Sequence, residues 1–210
     1  MGRTGLRFTA LQHQSRRDGL LRRFQRSGLE GLSEADGVEL LLALTCPGMD
    51  VRHPAEALLG RFGNLKGVLD AAVDDLARVE GLPQLAASVL KVVRATATRY
   101  LEQSVEGGDV LREPEQLLAF WRMRIGAAPN EVFEIAYLDA AFRLMCDGVE
   151  TLTVGTVDRA TVYPRRVIEA ALRRGAVAIV LAHNHPDGRT APSEQDQALT
   201  RVIVLAAETV

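Results

Sequence analysis

Cysteine is scarce in this chain, and so are long hydrophobic runs. The two cysteines among the 210 residues, Cys46 and Cys146, lie far apart and form no C-x-x-C pair. This excludes a disulfide framework and a cysteine zinc knuckle and is typical of the reducing cytosol, so we expect a cytoplasmic protein. No apolar run approaches the roughly 18 residues of a transmembrane helix, and the N-terminus lacks the apolar segment and cleavage site of a secretory signal. We therefore expect no signal peptide and no membrane partner.

Lysine is almost absent, and the basic residues are unevenly distributed. Only Lys66 and Lys91 are lysines among the 25 basic residues, and the net charge is −2. The first 30 residues nevertheless hold seven arginines against two acidic residues, a local charge of +5, whereas the remainder carries −7. Such asymmetry can indicate a basic arm that contacts phosphate. Because aromatic residues do not alternate regularly with these arginines, we favour a solvated helix face.

The first half of the chain has a helical pattern, which predicts a helical domain over residues 1–106. Ser33, followed by acidic residues, is a typical helix N-cap, and the apolar positions of Gln84–Val105 recur at the helical period. The predicted helices are Arg16–Arg26, Ser33–Cys46, Pro54–Gly63, Leu65–Ala71, Val73–Arg78 and Gln84–Val105. Two glycines between Glu106 and Asp109 interrupt the pattern and predict a domain boundary.

Residues 109–210 have a different pattern, which predicts an α/β domain. The predicted strands are Val132–Leu138, Phe142–Cys146, Thr151–Val157 and Ala176–Ala182, and the predicted helices are Pro114–Met123, Pro164–Arg174 and a last one from Glu194 onward. The run AVAIVLA at 176–182 is apolar throughout. Such a run suits a strand that is buried on both faces of a sheet.

Two histidines follow this apolar run. Because residues i and i+2 of a strand project to the same side, His183 and His185 can direct two imidazoles at one point, while Asn184 points away. Asp196 lies in the first turn of the next predicted helix and faces back toward the strand end. Two histidines and one carboxylate suit Zn²⁺, and three protein ligands leave a fourth position for water, which is the catalytic pattern.

These residues also have structural interpretations. A single histidine at a strand end is more often a hydrogen-bonded structural residue than a ligand, but two at this spacing are harder to explain in that way. Ser193 and Asp196 form S-x-x-D, which is also a helix-capping pattern. Beside the histidine pair we expect Ser193 to cap the helix and serve the site, with Asp196 turned to the metal. The HNH nuclease motif does not apply, because its residues are spread over a ββα hairpin.

The pattern H-x-H, seven residues, then S-x-x-D resembles the signature of the JAMM (MPN+) metallopeptidases, and this chain fits it without a gap. The setting HNHP-x-G followed by PS-x-x-D resembles the bacterial RadC proteins more narrowly. The segments LSEAD, LLGRFGNL and VYPRRV are also RadC-like. The resemblance covers most of the chain and implies a helical N-terminal domain followed, at 109–210, by a JAMM α/β domain of cytidine-deaminase-like fold with a mixed sheet.

The resemblance also implies a chemistry. JAMM enzymes use a glutamate at the start of an early strand as general acid and base, and Glu131 is the matching position. Glu134 competes, but it lies on the opposite side of an extended strand, so both cannot face the zinc. Zn²⁺ would be held by His183, His185 and Asp196, with Glu131 activating water and Ser193 donating to the oxyanion. The implied substrate is an amide in a protein or peptide, often an isopeptide bond.

Two further implications concern the N-terminal domain and the C-terminal end of the sequence. The family carries a helix-hairpin-helix where this chain has EGLPQLAA at 80–87, so DNA is a candidate partner and a DNA-repair accessory role, with the zinc domain as scaffold, is the alternative function. Gly81 is present, but Pro83 replaces the second glycine and has no N–H to offer phosphate; a helical protein-packing module is the other interpretation.

The family's catalytic domain normally continues to another strand, so we expect a domain ending at Val210 to expose a sheet edge.

Overall fold

The computed structural model describes residues 3–155 and 162–210, with side chains from His13 onward. These residues form two compact units, residues 1–96 and 97–210. The boundary lies inside the long helix Gln84–Val105, earlier than the predicted boundary at Glu106–Asp109, because Leu101 and Val105 at the end of that helix pack into the core of the second unit. The helix does end at the predicted point.

The N-terminal unit is helical. Its helices are α1 (Arg3–Ser27), a 3-10 turn (Gly28–Gly31), α2 (Glu34–Thr45), α3 (Arg52–Phe62), α4 (Leu65–Asp70), α5 (Val73–Ala77) and α6 (Gln84–Val105). Ser33 caps α2 as predicted, since its side chain accepts the N–H of Asp36 in a reciprocal capping box. The core takes side chains from α2 to α6, including the fully buried Leu58 and Leu76.

Part of the basic N-terminal charge is neutralised within this unit. The guanidinium of Arg16 donates to the buried carboxylate of Glu39, with Nη2 2.6 Å from Oε2. Nη1 of Arg23 lies 3.1 Å from Oδ2 of Asp36, which belongs to α2 as Glu39 does. The two arginines therefore hold α1 against α2, which is the behaviour of a packed helix face.

The second unit contains a three-stranded sheet with helices on both faces. Its elements are the end of α6, α7 (Pro114–Arg124), β1 (Val132–Leu138), β2 (Leu144–Val154), α8 (Pro164–Arg174), β3 (Ala178–His183) and α9 (Glu194–Ala207). The strand order is β2-β1-β3. Phe120 and Trp121 of α7 pack on one face, while Val167 of α8 and Ile203 of α9 pack on the other. The strand β1 and the helix α8 have the predicted bounds.

The expected mixed sheet is not what the described residues form, because both pairings of β1 are antiparallel. A tight turn reverses β1 into β2, and α8 then carries the chain back so that β3 runs in the direction of β2. The strand between them, β1, is therefore antiparallel to both neighbours.

Two predicted strands are one strand in the structure. The predicted Phe142–Cys146 and Thr151–Val157 fall largely within β2, and the last residues of the second lie outside the described part of the chain. Asp147 has a φ of 48°, and the pairing register shifts between Leu138 and Ala136. The Asp147-Gly148 pair therefore forms a bulge, where its sequence resembles a turn between strands.

The strand that is buried throughout is β1. Its residues Phe133 to Leu138 are all buried, whereas every residue of β3 is only half-buried. The apolar run at 176–182 predicts a strand buried on both faces. Side chains of β3 do pack on both faces, Val180 toward α7 and Ile179 and Leu181 toward α8 and α9, but each is only half-buried because β3 lies at an edge of the described sheet. None of the helices in the described residues has the length and hydrophobicity of a bilayer-spanning segment.

Candidate metal centre

The histidine pair lies at the C-terminal end of β3. His183 is the last residue of the strand and pairs with Phe133 of β1, whose ring stacks on the imidazole at 6.0 Å with an interplanar angle of 18°. The rings of His183 and His185 are 4.6 Å apart between centroids, edge to face. Both side chains are about four-fifths buried. The strand end therefore directs the two imidazoles to one place, as their spacing predicts.

Asp196 approaches both rings from the first turn of α9. Its Oδ2 lies 3.3 Å from Nε2 of His183 and 3.7 Å from Nε2 of His185. The same oxygen accepts the N–H and the hydroxyl of Ser193, each at 2.7 Å. Burial raises the pKa of Asp196, but these hydrogen bonds and the neighbouring His183 outweigh it and hold the pKa below its usual value. The carboxylate is therefore ionised and fixed beside the rings.

Glu131 supplies a second carboxylate from the other side. It precedes β1, and one carboxylate oxygen lies with a ring nitrogen of His183 and one of His185 in a group whose atoms are all within 4.8 Å of one another. Its carbonyl accepts the N–H of Gly155 at 2.8 Å, which extends the β1–β2 pairing by one step. The structure therefore brings together Glu131, His183, His185 and Asp196.

Glu134 lies on the opposite face of β1, away from the histidines. Its side chain is 1% exposed and accepts three hydrogen bonds: from Trp121 Nε1 at 3.1 Å, Arg124 Nε at 2.8 Å and Thr151 Oγ1 at 2.7 Å. Because its two oxygens accept from the buried Trp121, from the half-buried Arg124 and from Thr151, Glu134 has a structural role in the core under α7. Only Glu131 of the two candidates reaches the histidines.

Ser193 is the N-cap of α9. Its hydroxyl accepts the N–H of Asp196 at 3.1 Å and donates to Asp196 Oδ2. In this geometry the serine orients the carboxylate of Asp196. The donation of the same hydroxyl to a reacting oxyanion requires a rotation about its Cα–Cβ bond and stays a prediction.

These residues fit a zinc ion. The Nε2 atom of His183 is buried and has no hydrogen-bond partner of acceptable geometry among the described residues, although buried polar atoms are nearly always satisfied. An imidazole nitrogen that faces a second imidazole and a carboxylate, and donates to nothing, is placed as a metal ligand is. Nitrogen and carboxylate donors together suit Zn²⁺.

A cleft of about 360 Å³ adjoins the histidines. Its walls are mostly apolar, with Leu118, Trp121 and Ile125 from the α7 segment, and Arg122 and Arg189 add positive charge. Pattern analysis missed this contribution of α7, because its helical spacing identifies a packing face and not the partner of that face. Asn184 was likewise predicted only to point away from the histidines.

The predicted hairpin at 80–87 joins α5 to α6. Gly81 has a φ of 74°, a conformation that glycine favours. Pro83 precedes the first turn of α6 and removes one of the N–H groups that a phosphate would use, and Glu80 is exposed beside it. The turn has the shape of a hairpin, but its residues supply few donors for a phosphate.

Comparisons with known proteins identify the family of this chain. A family profile described as the RadC-like JAB domain matches residues 111–210. Over 176 residues, 84% of this chain, the sequence is 39% identical to UPF0758 proteins of Burkholderia mallei (strain SAVP1) and Burkholderia pseudomallei (strain 668), and the match covers 63% of each. A UPF0758 protein of Actinobacillus pleuropneumoniae serotype 5b (strain L20) is 34% identical over 184 residues, 88% of this chain and 83% of that protein.

The second unit thus carries a JAB domain, a class whose members are generally metal-dependent hydrolases. The chain belongs to the RadC family, whose relatives bear the name UPF0758. That name states no activity. The chain spans less than two thirds of the length of the Burkholderia relatives.

Proposed function

We propose that this protein is a zinc-dependent hydrolase that cleaves amide bonds of a peptide or isopeptide. The observation that carries the proposal is the convergence of Asp196 and Glu131, from two other elements, on the histidine pair at the end of β3. The buried Nε2 of His183, which lies 3.3 Å from Oδ2 of Asp196 without hydrogen-bond geometry, supports metal binding at this point.

The ligand roles follow from how firmly each carboxylate is held. Asp196 is fixed by the capping box of α9 and lies within 3.7 Å of both imidazoles, so it suits a ligand whose position must not change. His183, His185 and Asp196 would hold the zinc ion, which when bound would supply a polarised water of lowered pKa. Glu131 lies within reach of the same point and suits the general base.

Glu131 then moves the protons. Its carboxylate accepts the proton of the attacking water as the oxygen adds to the amide carbon, and it returns that proton to the nitrogen as the carbon–nitrogen bond breaks. Ser193, once its hydroxyl rotates from Asp196, donates a hydrogen bond to the carbonyl oxygen, where negative charge develops.

Metal analysis tests the ligand set. The protein purified without chelator, and again after reconstitution, should hold close to one equivalent of zinc, and less than about half an equivalent in both would overturn the proposal. His183→Ala, His185→Ala and Asp196→Ala should each lower the affinity steeply, whereas Glu131→Gln should retain zinc. If Glu131→Gln loses zinc while Asp196→Ala keeps it, the two carboxylates have been assigned the wrong way round.

Turnover tests the chemistry. A peptide and isopeptide library incubated with the zinc-loaded protein should yield cleaved products. Glu131→Gln should lower turnover by roughly two to four orders of magnitude with zinc still bound, and Ser193→Ala by a similar or smaller factor. Glu134→Gln is the matched control, the same substitution on the other face of β1, and it should leave turnover of the folded protein unchanged. An inactive Glu134→Gln that stays folded would reverse the assignment of the two glutamates.

A further inference from the structure

We infer that Asn184, the residue between the two histidines, is a positioning residue that fixes Glu131 against them. Its side chain is buried, 8% exposed, and points away from the metal centre into the segment that precedes β1. Its Oδ1 accepts the N–H of Val132 at 2.8 Å. Its Nδ2 donates to the carbonyls of Asn130 at 3.1 Å and Ala128 at 3.2 Å.

These bonds hold the chain on both sides of Glu131. The carbonyl of Asn130 belongs to the peptide unit before Glu131, and the N–H of Val132 belongs to the peptide unit after it. Because peptide units are planar, fixing both leaves the Cα of Glu131 little freedom to translate or turn. Asn184, together with the Gly155 N–H that binds the Glu131 carbonyl, therefore sets the direction in which the glutamate leaves the backbone.

The amide replaces a missing part of the sheet ladder. The pairing of β1 with β3 ends at Phe133 and His183, so the next residues in that antiparallel register are Val132 and Asn184. The backbone of β3 turns away at this point to form the histidine loop. The side chain of Asn184 therefore continues the contact between the two segments by one residue beyond the last ladder pair.

The inference rests on the proposed function, in which Glu131 is the base. A general base must come within about 2.6–3.2 Å of the proton that it accepts, and a misplacement of about 1 Å costs roughly 100-fold in rate. We therefore expect Asn184→Ala to keep its zinc content and KM and to lower kcat by about 10- to 100-fold. Asn184→Asp keeps the oxygen that accepts the Val132 N–H but places a second carboxylate oxygen next to the carbonyls of Asn130 and Ala128, where the wild type has a donor. We therefore expect a similar loss of kcat.

A double-mutant cycle separates positioning from a general structural effect. In the Glu131→Gln background there is no base to position, so Asn184→Asp should change kcat by less than about twofold. A loss of the same factor in both backgrounds would overturn the inference. Asn130→Ala is the matched control, because it deletes the side-chain amide of the residue next to Glu131 but keeps the backbone carbonyl that Asn184 uses; it should leave kcat unchanged.

Two measurements do not depend on turnover. Hydrogen exchange at the Val132 amide should accelerate in folded Asn184→Ala and stay slow in Asn130→Ala. Crystal structures of the zinc-loaded wild type and Asn184→Ala should differ by about 1 Å or more at the Glu131 carboxylate, with the imidazoles unmoved. An unmoved carboxylate overturns the inference. A protein that binds no zinc, or Glu131→Gln with full turnover, would instead refute the proposed function. The hydrogen exchange at Val132 and the position of the Glu131 carboxylate would still test whether Asn184 holds the Glu131 segment.

Discussion

Replacing Glu134 by glutamine should destabilise the second unit without affecting the metal centre. The carboxylate has two oxygens and three donors around it: the half-buried Arg124 and the exposed Thr151 on Oε1, and the buried Trp121 on Oε2. Glutamine has one oxygen. If that oxygen takes the place of Oε1, the NH₂ group faces the indole N–H of Trp121, and neither donor has a partner.

The size of the effect follows from burial. An unsatisfied buried donor costs about 1–3 kcal/mol, and the loss of the charge that Arg124 binds adds to this. Because Arg124 is 30% exposed, water compensates part of that second cost. We therefore expect Glu134→Gln to lower the free energy of unfolding by about 2–4 kcal/mol.

Urea unfolding followed by tryptophan fluorescence measures this directly, since Trp121 is the sole tryptophan and contacts the substituted residue. With an m-value of about 1–2 kcal/mol/M, the midpoint should fall by about 2 M at an unchanged m-value. Glu131→Gln, the same substitution on the other face of β1, is the control and should cost less than about 1 kcal/mol. Equal midpoints for Glu134→Gln and the wild type, or equal losses for both variants, would refute the reasoning about Glu134.

Three further outcomes are expected in the N-terminal unit. Burial raises the pKa of Asp70, but Lys66 and Arg94 outweigh it and hold the pKa below its usual value. This carboxylate therefore stabilises the unit above about pH 4 and loses that effect as the pH falls. Asp70→Asn should lower the free energy of unfolding in urea by on the order of 1 kcal/mol at pH 7, and this difference should shrink toward zero near pH 2. Ser33→Ala removes the α2 cap and should cost about 1 kcal/mol in the same assay. Because Pro83 offers no N–H, we expect no duplex binding through its turn at about 50 mM salt, and binding that weakens steeply with salt would favour the DNA-associated alternative.

The features that the sequence predicted well are those set by local spacing. The approach of His183, His185 and Asp196 depends on one strand period and one helix turn, and both are legible in a short segment. The choice of Glu131 over Glu134 followed from the resemblance and the alternation of a strand, and the structure places the two residues on opposite faces as that alternation requires. Their catalytic and ligand roles stay predictions.

The features that the sequence did not predict depend on partners far along the chain. The Asp147-Gly148 pair has the composition of a turn, and only the pairing with β1 makes it a bulge within β2. The apolar run before His183 predicts that both faces of β3 are covered, but it does not indicate how many strands lie beside β3. The bonds of Asn184 cross 52 and 54 positions to Val132 and Asn130, a distance over which no periodicity carries information.

Because Asp196 lies in the capping box of α9, the three proposed ligands are close to one another in the sequence, whereas the proposed base, Glu131, is far from them along the chain. The three proposed ligands lie within the single segment from His183 to Asp196, so a short loop with its own helix cap can hold a metal ion. Glu131 reaches that loop only through tertiary structure. If Glu131 is the base and His183, His185 and Asp196 hold the zinc ion, substitutions around residues 128–132 would abolish hydrolysis while the loop would still bind zinc.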